Sequence, residues 1–220
     1  MSKKAIVAGA TGLVGGFVVH HLTQSHIFDE VVVLVRPGSN LHLDGVTIQE
    51  VDYDRLEDFS DVLKADTVFC CLGTTMKKAG SKANFYKVDF TYPHQLARIT
   101  YQHGATQFSL VSSSGASEKS LFYYSRVKGE IETAVCQIDF EKIDIFRPSL
   151  LLGKRPEKRP GENAGAVVAK LVNPFLVGSA KKYRAIQAET VAIAMVAVAE
   201  DQNRGVRILE SDTIAQYGRR

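Results

Sequence analysis

A glycine-punctuated turn, Gly9-Ala10-Thr11-Gly12-Leu13-Val14-Gly15, separates the apolar, β-branched run of residues 4–8 from the helix-like stretch of residues 13–24. No other feature constrains the chain as much. A strand that turns at once into a helix aims the helix's unpaired first amides beyond the strand's carboxyl end, where an anion can meet them. Gly9 permits the sharp turn, Gly12 lets backbone approach a pyrophosphate, and Gly15 lets the helix close on the sheet. Thr11, Leu13 and Val14 complete the turn and are assigned with the glycines to a dinucleotide's phosphates. The spacing is GxxGxxG, one residue longer before the second glycine than GxGxxG; the rival reading is a tight strand-to-helix turn with no ligand.

The same alternation continues. Strand-like runs fall at 4–8, 31–36, 46–51, 67–71, 107–112, 143–147 and 206–209, and helical stretches at 13–24, 92–103, 124–136 and 189–200, with a weaker turn of helix at 56–64. This pattern predicts an α/β fold, a single doubly wound Rossmann domain over residues 1–220 with about seven mostly parallel strands. Residues 153–188 are expected to form a small substrate lid. Residues 153–162 contain two prolines and alternating charge, which forbid regular structure there and announce an exposed loop, either a ligand-binding element or a solvated connector.

Composition narrows the function classes. The chain is 45% hydrophobic and 23% charged, and its 27 Lys plus Arg against 24 Asp plus Glu fall short of the basic stripe of a nucleic-acid binder. The longest apolar run, residues 191–199, is about half the span a bilayer requires and reads as a buried helix. Three cysteines, Cys70, Cys71 and Cys136, form no CxxC element and suit a reducing cytoplasm; the pair at the end of the fourth strand reads as small hydrophobes, with Cys71 nearer the cofactor. The six histidines lack metal-ligand spacing, so no metal is expected.

About 20 residues past a nucleotide turn, at the end of the second strand, an acidic side chain would bind the adenosine ribose of NAD. Here Arg36 stands instead, and a guanidinium suits a 2′-phosphate, which predicts NADP(H) over NAD(H) unless Arg36 is only a surface cap. Asp52, followed by Tyr53, is placed at the adenine edge, although Asp52 could equally be a turn residue. Cys71, Leu72, Gly73 and Thr74 follow the fourth strand beside the cofactor's ribose.

Tyr124 and Lys128 lie four residues apart, on one face of a predicted helix. A cation fixed near a phenol stabilises the phenolate and readies it for proton exchange with an alcohol or carbonyl, and Lys128 would also hold the nicotinamide ribose. Tyr123 is a weaker candidate, since its fourth neighbour is Val127. Ser112, Ser113 and Ser114 end the fifth strand, and a hydroxyl of this run, Ser113 or Ser114, would bind a carbonyl oxygen as charge develops on it.

The glycine turn, the strand-end serines, Tyr124-x-x-x-Lys128 and the later Arg147-Pro148-Ser149-Leu150-Leu151-Leu152-Gly153 resemble the short-chain dehydrogenase/reductase superfamily in its extended or atypical branch, related to NAD-dependent epimerases and dehydratases. Val127-Lys128-Gly129-Glu130 and the 155–162 loop resemble the atypical subgroup typified by the Tat-interacting oxidoreductase of animals. The resemblance implies that Tyr124 and Lys128 are catalytic, that Ser113 or Ser114 polarises the substrate, and that Pro148 and Leu150 lie near the nicotinamide. The family's helix-borne active-site asparagine has no clear match, the stretch reading Tyr86-Lys87-Val88-Asp89-Phe90.

The expected function is therefore NADP(H)-dependent hydride transfer to or from a small carbonyl or alcohol. The basic residues Lys154, Arg155, Lys158 and Arg159 favour an anionic substrate or a solvated loop equally. Two alternatives stay open: a non-catalytic NADP(H)-sensing protein, and a nucleotide-sugar epimerase or dehydratase, for which little substrate-domain sequence is available. Self-association is left open.

Overall fold

Seven strands form one sheet in the order β3-β2-β1-β4-β5-β6-β9, every neighbouring pair parallel. They are β1 (Lys4–Ala8), β2 (Glu30–Val35), β3 (Thr47–Glu50), β4 (Thr67–Cys70), β5 (Gln107–Val111), β6 (Lys142–Arg147) and β9 (Gly205–Glu210). The computed structural model describes residues 3–153, 173 and 176–218. Central β4 is buried along its whole length, as a strand covered by helices on both faces must be.

One face packs against α1 (Leu13–Ser25), α6 (Ala188–Glu200) and α7 (Ser211–Tyr217). Helix α1 buries Val14, Val18, Val19 and Leu22, an apolar stripe of helical period. In α6, Val191, Ala192, Ala194, Met195, Val196 and Val198 are all buried, in agreement with the sequence reading. The other face packs against a 3₁₀ segment (Tyr53–Leu63), α4 (Tyr92–Gln102) and α5 (Tyr123–Cys136), with Leu56, Leu96, Ile99, Ile131 and Val135 in its core.

Two departures from the sequence reading concern the rim. Between β4 and α4 the chain forms α2 (Met76–Ala79), α3 (Lys82–Tyr86) and a π-helical turn (Lys87–Thr91), so the helical run starts ten residues before 92. Two-residue strands β7 (Leu151–Leu152) and β8 (Ile186–Gln187) pair in parallel as a second small sheet. Of the expected lid, the loop after residue 153 and its basic side chains lie outside the described residues.

Strand order reverses at β1, whose neighbours β2 and β4 each begin an outward progression of strands. A crevice at such a reversal, outside the carboxyl ends of the strands, is where open parallel sheets bind ligands.

Candidate active site

The glycine turn sits at that reversal. Gly9 has φ +89°, and a β-carbon on it would lie 2.6 Å from the Cys71 carbonyl oxygen, so the conformation and the space both require glycine. The Gly12 amide donates to the Gly9 carbonyl at 2.9 Å and closes the turn before α1. Thr11 is exposed and Leu13 half-buried at the rim, whereas Val14 is buried in the core, so what Val14 offers a ligand is its backbone.

A cleft of about 710 Å³ continues along the rim, lined among others by Arg36, Asp52, Tyr53, Thr74, Lys87 and Tyr92. Arg36 is exposed at the end of β2. Asp52 caps the 3₁₀ segment, its Oδ1 accepting from the Asp54 amide at 2.9 Å, so it is a turn residue and a cleft residue at once. Tyr53 is buried, and its hydroxyl has no internal hydrogen-bond partner although the ring lines the cleft. Burial pushes that phenol well above the ordinary tyrosine range.

Past β4 the rim turns polar. Lys128 Nζ lies 2.8 Å from Asp89 Oδ1, with both side chains buried, and Asp89 Oδ2 accepts the Thr74 amide at 2.8 Å. A β-carbon on Gly73 would stand 3.4 Å from Asp89 Oδ1 and 3.6 Å from Lys128 Nζ. Burial pulls the Lys128 ammonium down, but the Asp89 carboxylate, then Tyr124, outweigh it and leave Lys128 above the ordinary lysine value. Leu72 is buried, and the adjacent thiols are inert by environment: burial pushes Cys70 up to about 11 and Cys71 higher still.

Tyr124 lies one helical turn before Lys128, its ring 5.6 Å from that of buried Phe85, and remains 39% exposed. Tyr123, the weaker candidate, donates its hydroxyl to the Lys82 carbonyl at 2.9 Å.

The three serines part company. Ser112 donates to Glu132, which is also held by Arg147 Nε at 3.0 Å, so Ser112 belongs to a buried structural network. Ser114 is half-buried and its amide donates to the Pro148 carbonyl at 2.9 Å. Ser113 is buried with no internal partner for its hydroxyl. The loop that follows lies on α5 because residue 129 is glycine: a β-carbon there would be 2.3 Å from the Glu118 nitrogen. The Ser117 amide donates to the Ser125 carbonyl at 3.0 Å and fixes that approach. Leu150, beyond Pro148, is 53% exposed at the same rim.

Asp89, Gly129 and Glu132 were not assigned roles from sequence. Asp89 stands in the stretch where the resembled family carries its asparagine, and that position was its signal. Among the described residues no group of three His, Cys, Asp or Glu side chains could hold a metal ion, and no helix is long and apolar enough to cross a membrane.

The site fits a dinucleotide on its own terms: a turn whose glycines a β-carbon would obstruct, a neighbouring cleft, and buried hydroxyls at Tyr53 and Ser113 lacking internal partners. Residues 5–208 match the model of the NAD dependent epimerase/dehydratase family. The chain is 34% identical over 165 residues to Protein HTATIP2 of Rattus norvegicus, covering 73% of this chain and 68% of that protein. It is 31% identical to Protein FMP52, mitochondrial, of Eremothecium gossypii, covering 96% and 95%. Among solved structures, MoeE5 in complex with UDP-glucose and NAD superposes with a TM-score of 0.71 at 18% identity, covering 97% of this chain and 80% of that one. The UDP-glucose 4-epimerase of Thermotoga maritima superposes at 0.70 with 15% identity, covering 94% and 76%.

These relatives correct one expectation. A cytoplasmic setting was inferred from free cysteines, yet the fungal relatives are named mitochondrial. Free thiols report redox conditions and carry no address. The family model is that of an NAD(P)-binding protein of oxidoreductase or epimerase type, and the Rossmann-like fold agrees with it. The chain belongs to the NAD dependent epimerase/dehydratase family, on the atypical short-chain dehydrogenase/reductase branch represented by HTATIP2 and FMP52.

Proposed function

We propose that the protein is an NADP(H)-dependent oxidoreductase that moves hydride to or from a small carbonyl or alcohol. The observation that carries this reading is the Ser113 hydroxyl, buried and without an internal partner, on a loop pinned to the helix of Tyr124 and Lys128. A buried hydroxyl left unpaired costs about 1–3 kcal/mol, which a substrate oxygen bonded to it would offset.

The turn at residues 9–15 would hold the pyrophosphate, Asp52 and Tyr53 the adenine side, and Arg36 a 2′-phosphate. Leu72, Gly73, Thr74, Pro148 and Leu150 would flank the nicotinamide half. When bound, the dinucleotide supplies or takes up hydride at its nicotinamide ring. Tyr124 delivers a proton to the carbonyl oxygen in reduction and removes it in oxidation. Ser113 donates a hydrogen bond to the same oxygen and steadies its developing negative charge. Lys128 offers ammonium donors to a ribose and a positive charge to the phenol oxygen as its proton leaves. The substrate is a small molecule; neither nucleic acid nor membrane has a place in this reading.

The test is NADPH oxidation against a panel of aldehydes and ketones, with Tyr124→Phe as the control. Turnover is expected with at least one panel member, falling by about 10²-fold or more in Tyr124→Phe while NADPH affinity is retained. Tight NADPH binding with no turnover on any member would favour a cofactor-sensing protein, and unimpaired turnover in Tyr124→Phe would remove that residue from the chemistry.

A further inference from the structure

Asp89 takes no part in the hydride or proton transfer described above, yet it is 1% exposed, one of the most deeply buried charged groups of the described residues. The π-helical turn Lys87–Thr91 carries it, and the wider turn sets its carboxylate between two other rim segments. Oδ1 meets Lys128 Nζ on α5 and Oδ2 meets the Thr74 amide in the loop after β4, each at 2.8 Å. Gly73 lies against both groups, within van der Waals reach of a β-carbon built on it.

An ammonium withdrawn from water gives up its proton readily unless a negative charge compensates it. The titratable groups that face Lys128 are Asp89, Tyr124 and Cys70, and of these Asp89 is the one in ion-pair contact. The other charges nearby are committed elsewhere: Lys87, on the same turn as Asp89, to Asp54 at 2.6 Å, and Glu132, one turn further along α5, to Arg147. A neutral asparagine at 89 could accept a hydrogen bond but could not balance the charge.

We propose that Asp89 is a positioning residue of this site: its buried carboxylate, in contact with Lys128 Nζ and the Thr74 amide, ties the Lys128 ammonium to the 73–74 loop and balances its charge there. The task of Lys128 toward a ribose and the phenol rests on the oxidoreductase reading; the hold of Asp89 on Lys128 does not. An ammonium has three N–H donors, so Asp89 anchors one side and leaves others for a ligand.

The experiment is a pH titration of the cofactor-free protein carrying ¹³Cε-labelled lysine, followed by NMR, with the Lys128 resonance assigned through Lys128→Met. In the wild type Lys128 should titrate above the ordinary lysine value of about 10.4. In Asp89→Asn its midpoint should fall by at least one pH unit, and Asp89→Glu should restore most of the loss. In the reductase assay, Asp89→Asn should lose kcat/KM first at alkaline pH, where a merely structural lesion would lower the whole profile. An unchanged midpoint in Asp89→Asn, or a wild-type midpoint below the ordinary value, overturns the proposal; the wild-type titration decides even if Asp89→Asn does not fold. A wild type that turns nothing over while Asp89→Asn shows the lowered midpoint supports the hold of Asp89 on Lys128 and overturns only the reductase reading.

Discussion

Gly15 lies so close to Gly9 that a β-carbon on it would stand 2.3 Å from the Gly9 carbonyl oxygen. The obstacle is backbone, so no side-chain rotation can relieve it. Gly15→Ala must therefore push the start of α1 away from the end of β1, the relationship that shapes the anion-binding turn. A loss of about 2–3 kcal/mol in urea unfolding is expected, comparable with other overpacked sites, together with at least a tenfold loss of NADPH affinity. Wild-type stability and affinity in this variant would mean that the turn is looser than its geometry implies.

Arg36 offers a second check on the same cleft. If its guanidinium meets a 2′-phosphate, Arg36→Ser should weaken NADPH binding about 10- to 100-fold, the worth of one charge-assisted contact, and leave NADH binding nearly unchanged. Isothermal titration with both cofactors reads the difference. Equal losses for the two would place Arg36 away from the phosphate and leave it a strand-end cap.

The sheet was legible because its inner strands β1, β2, β4, β5 and β6 are short apolar runs buried on both faces, and α1, α4 and α5 each carry an apolar face. Residues 82–91 were not legible. Pro93 marks a helix start, and it does lie in the first turn of α4, but a π turn and a further helix precede it, capped by the Ser81 hydroxyl on the Asn84 amide. Asp89 was hidden by the same turn, since its direction depends on a widened helix that period-3.6 reasoning does not anticipate. The split among Ser112, Ser113 and Ser114 was equally invisible, because it is decided by Glu132 on a different element. Pairing of β7 with β8 spans two residues each, too few for any periodicity.

The cysteines give a prediction independent of any ligand. The Cys70 thiol is raised to about 11 by burial and Cys71 beyond it, while Cys136 is exposed as a residue and its thiol is raised by partial burial and then by Glu132, against the pull of Arg147. Thiolate is the reactive form, so at pH 8 an aromatic disulfide reagent should titrate one thiol per native chain, and slowly. All three should react in guanidinium. Rapid native labelling of Cys71 would mean that the loop after β4 opens to solvent, contrary to the backbone contact it makes with Gly9.

At the far edge of the sheet, Asp201 joins Lys142 at 3.0 Å and Arg207 at 2.7 Å, and Arg207 also reaches the fully buried Asp144. Burial alone would raise the Asp201 carboxyl, but hydrogen bonds from Arg207, Lys142 and the Asn203 backbone overcome it and hold it well below the usual carboxylate range. A carboxyl depressed in the folded state stabilises the fold above its unfolded value of about 3.9, and that contribution disappears as pH falls toward the folded value. Asp144 has the opposite sign: burial raises it against the pull of Arg207, so its protonation on acidification offsets part of the loss. Asp201→Asn should therefore cost about 2 kcal/mol at pH 7, the scale of hydrogen bonds to charged groups in a partly buried site. The difference from wild type should shrink steadily below pH ~4. Urea denaturation at a series of pH values measures both curves. A gap that stays constant from pH 7 to pH 3 would show that Asp201 acts through packing or chain geometry and that its charge contributes nothing at this edge.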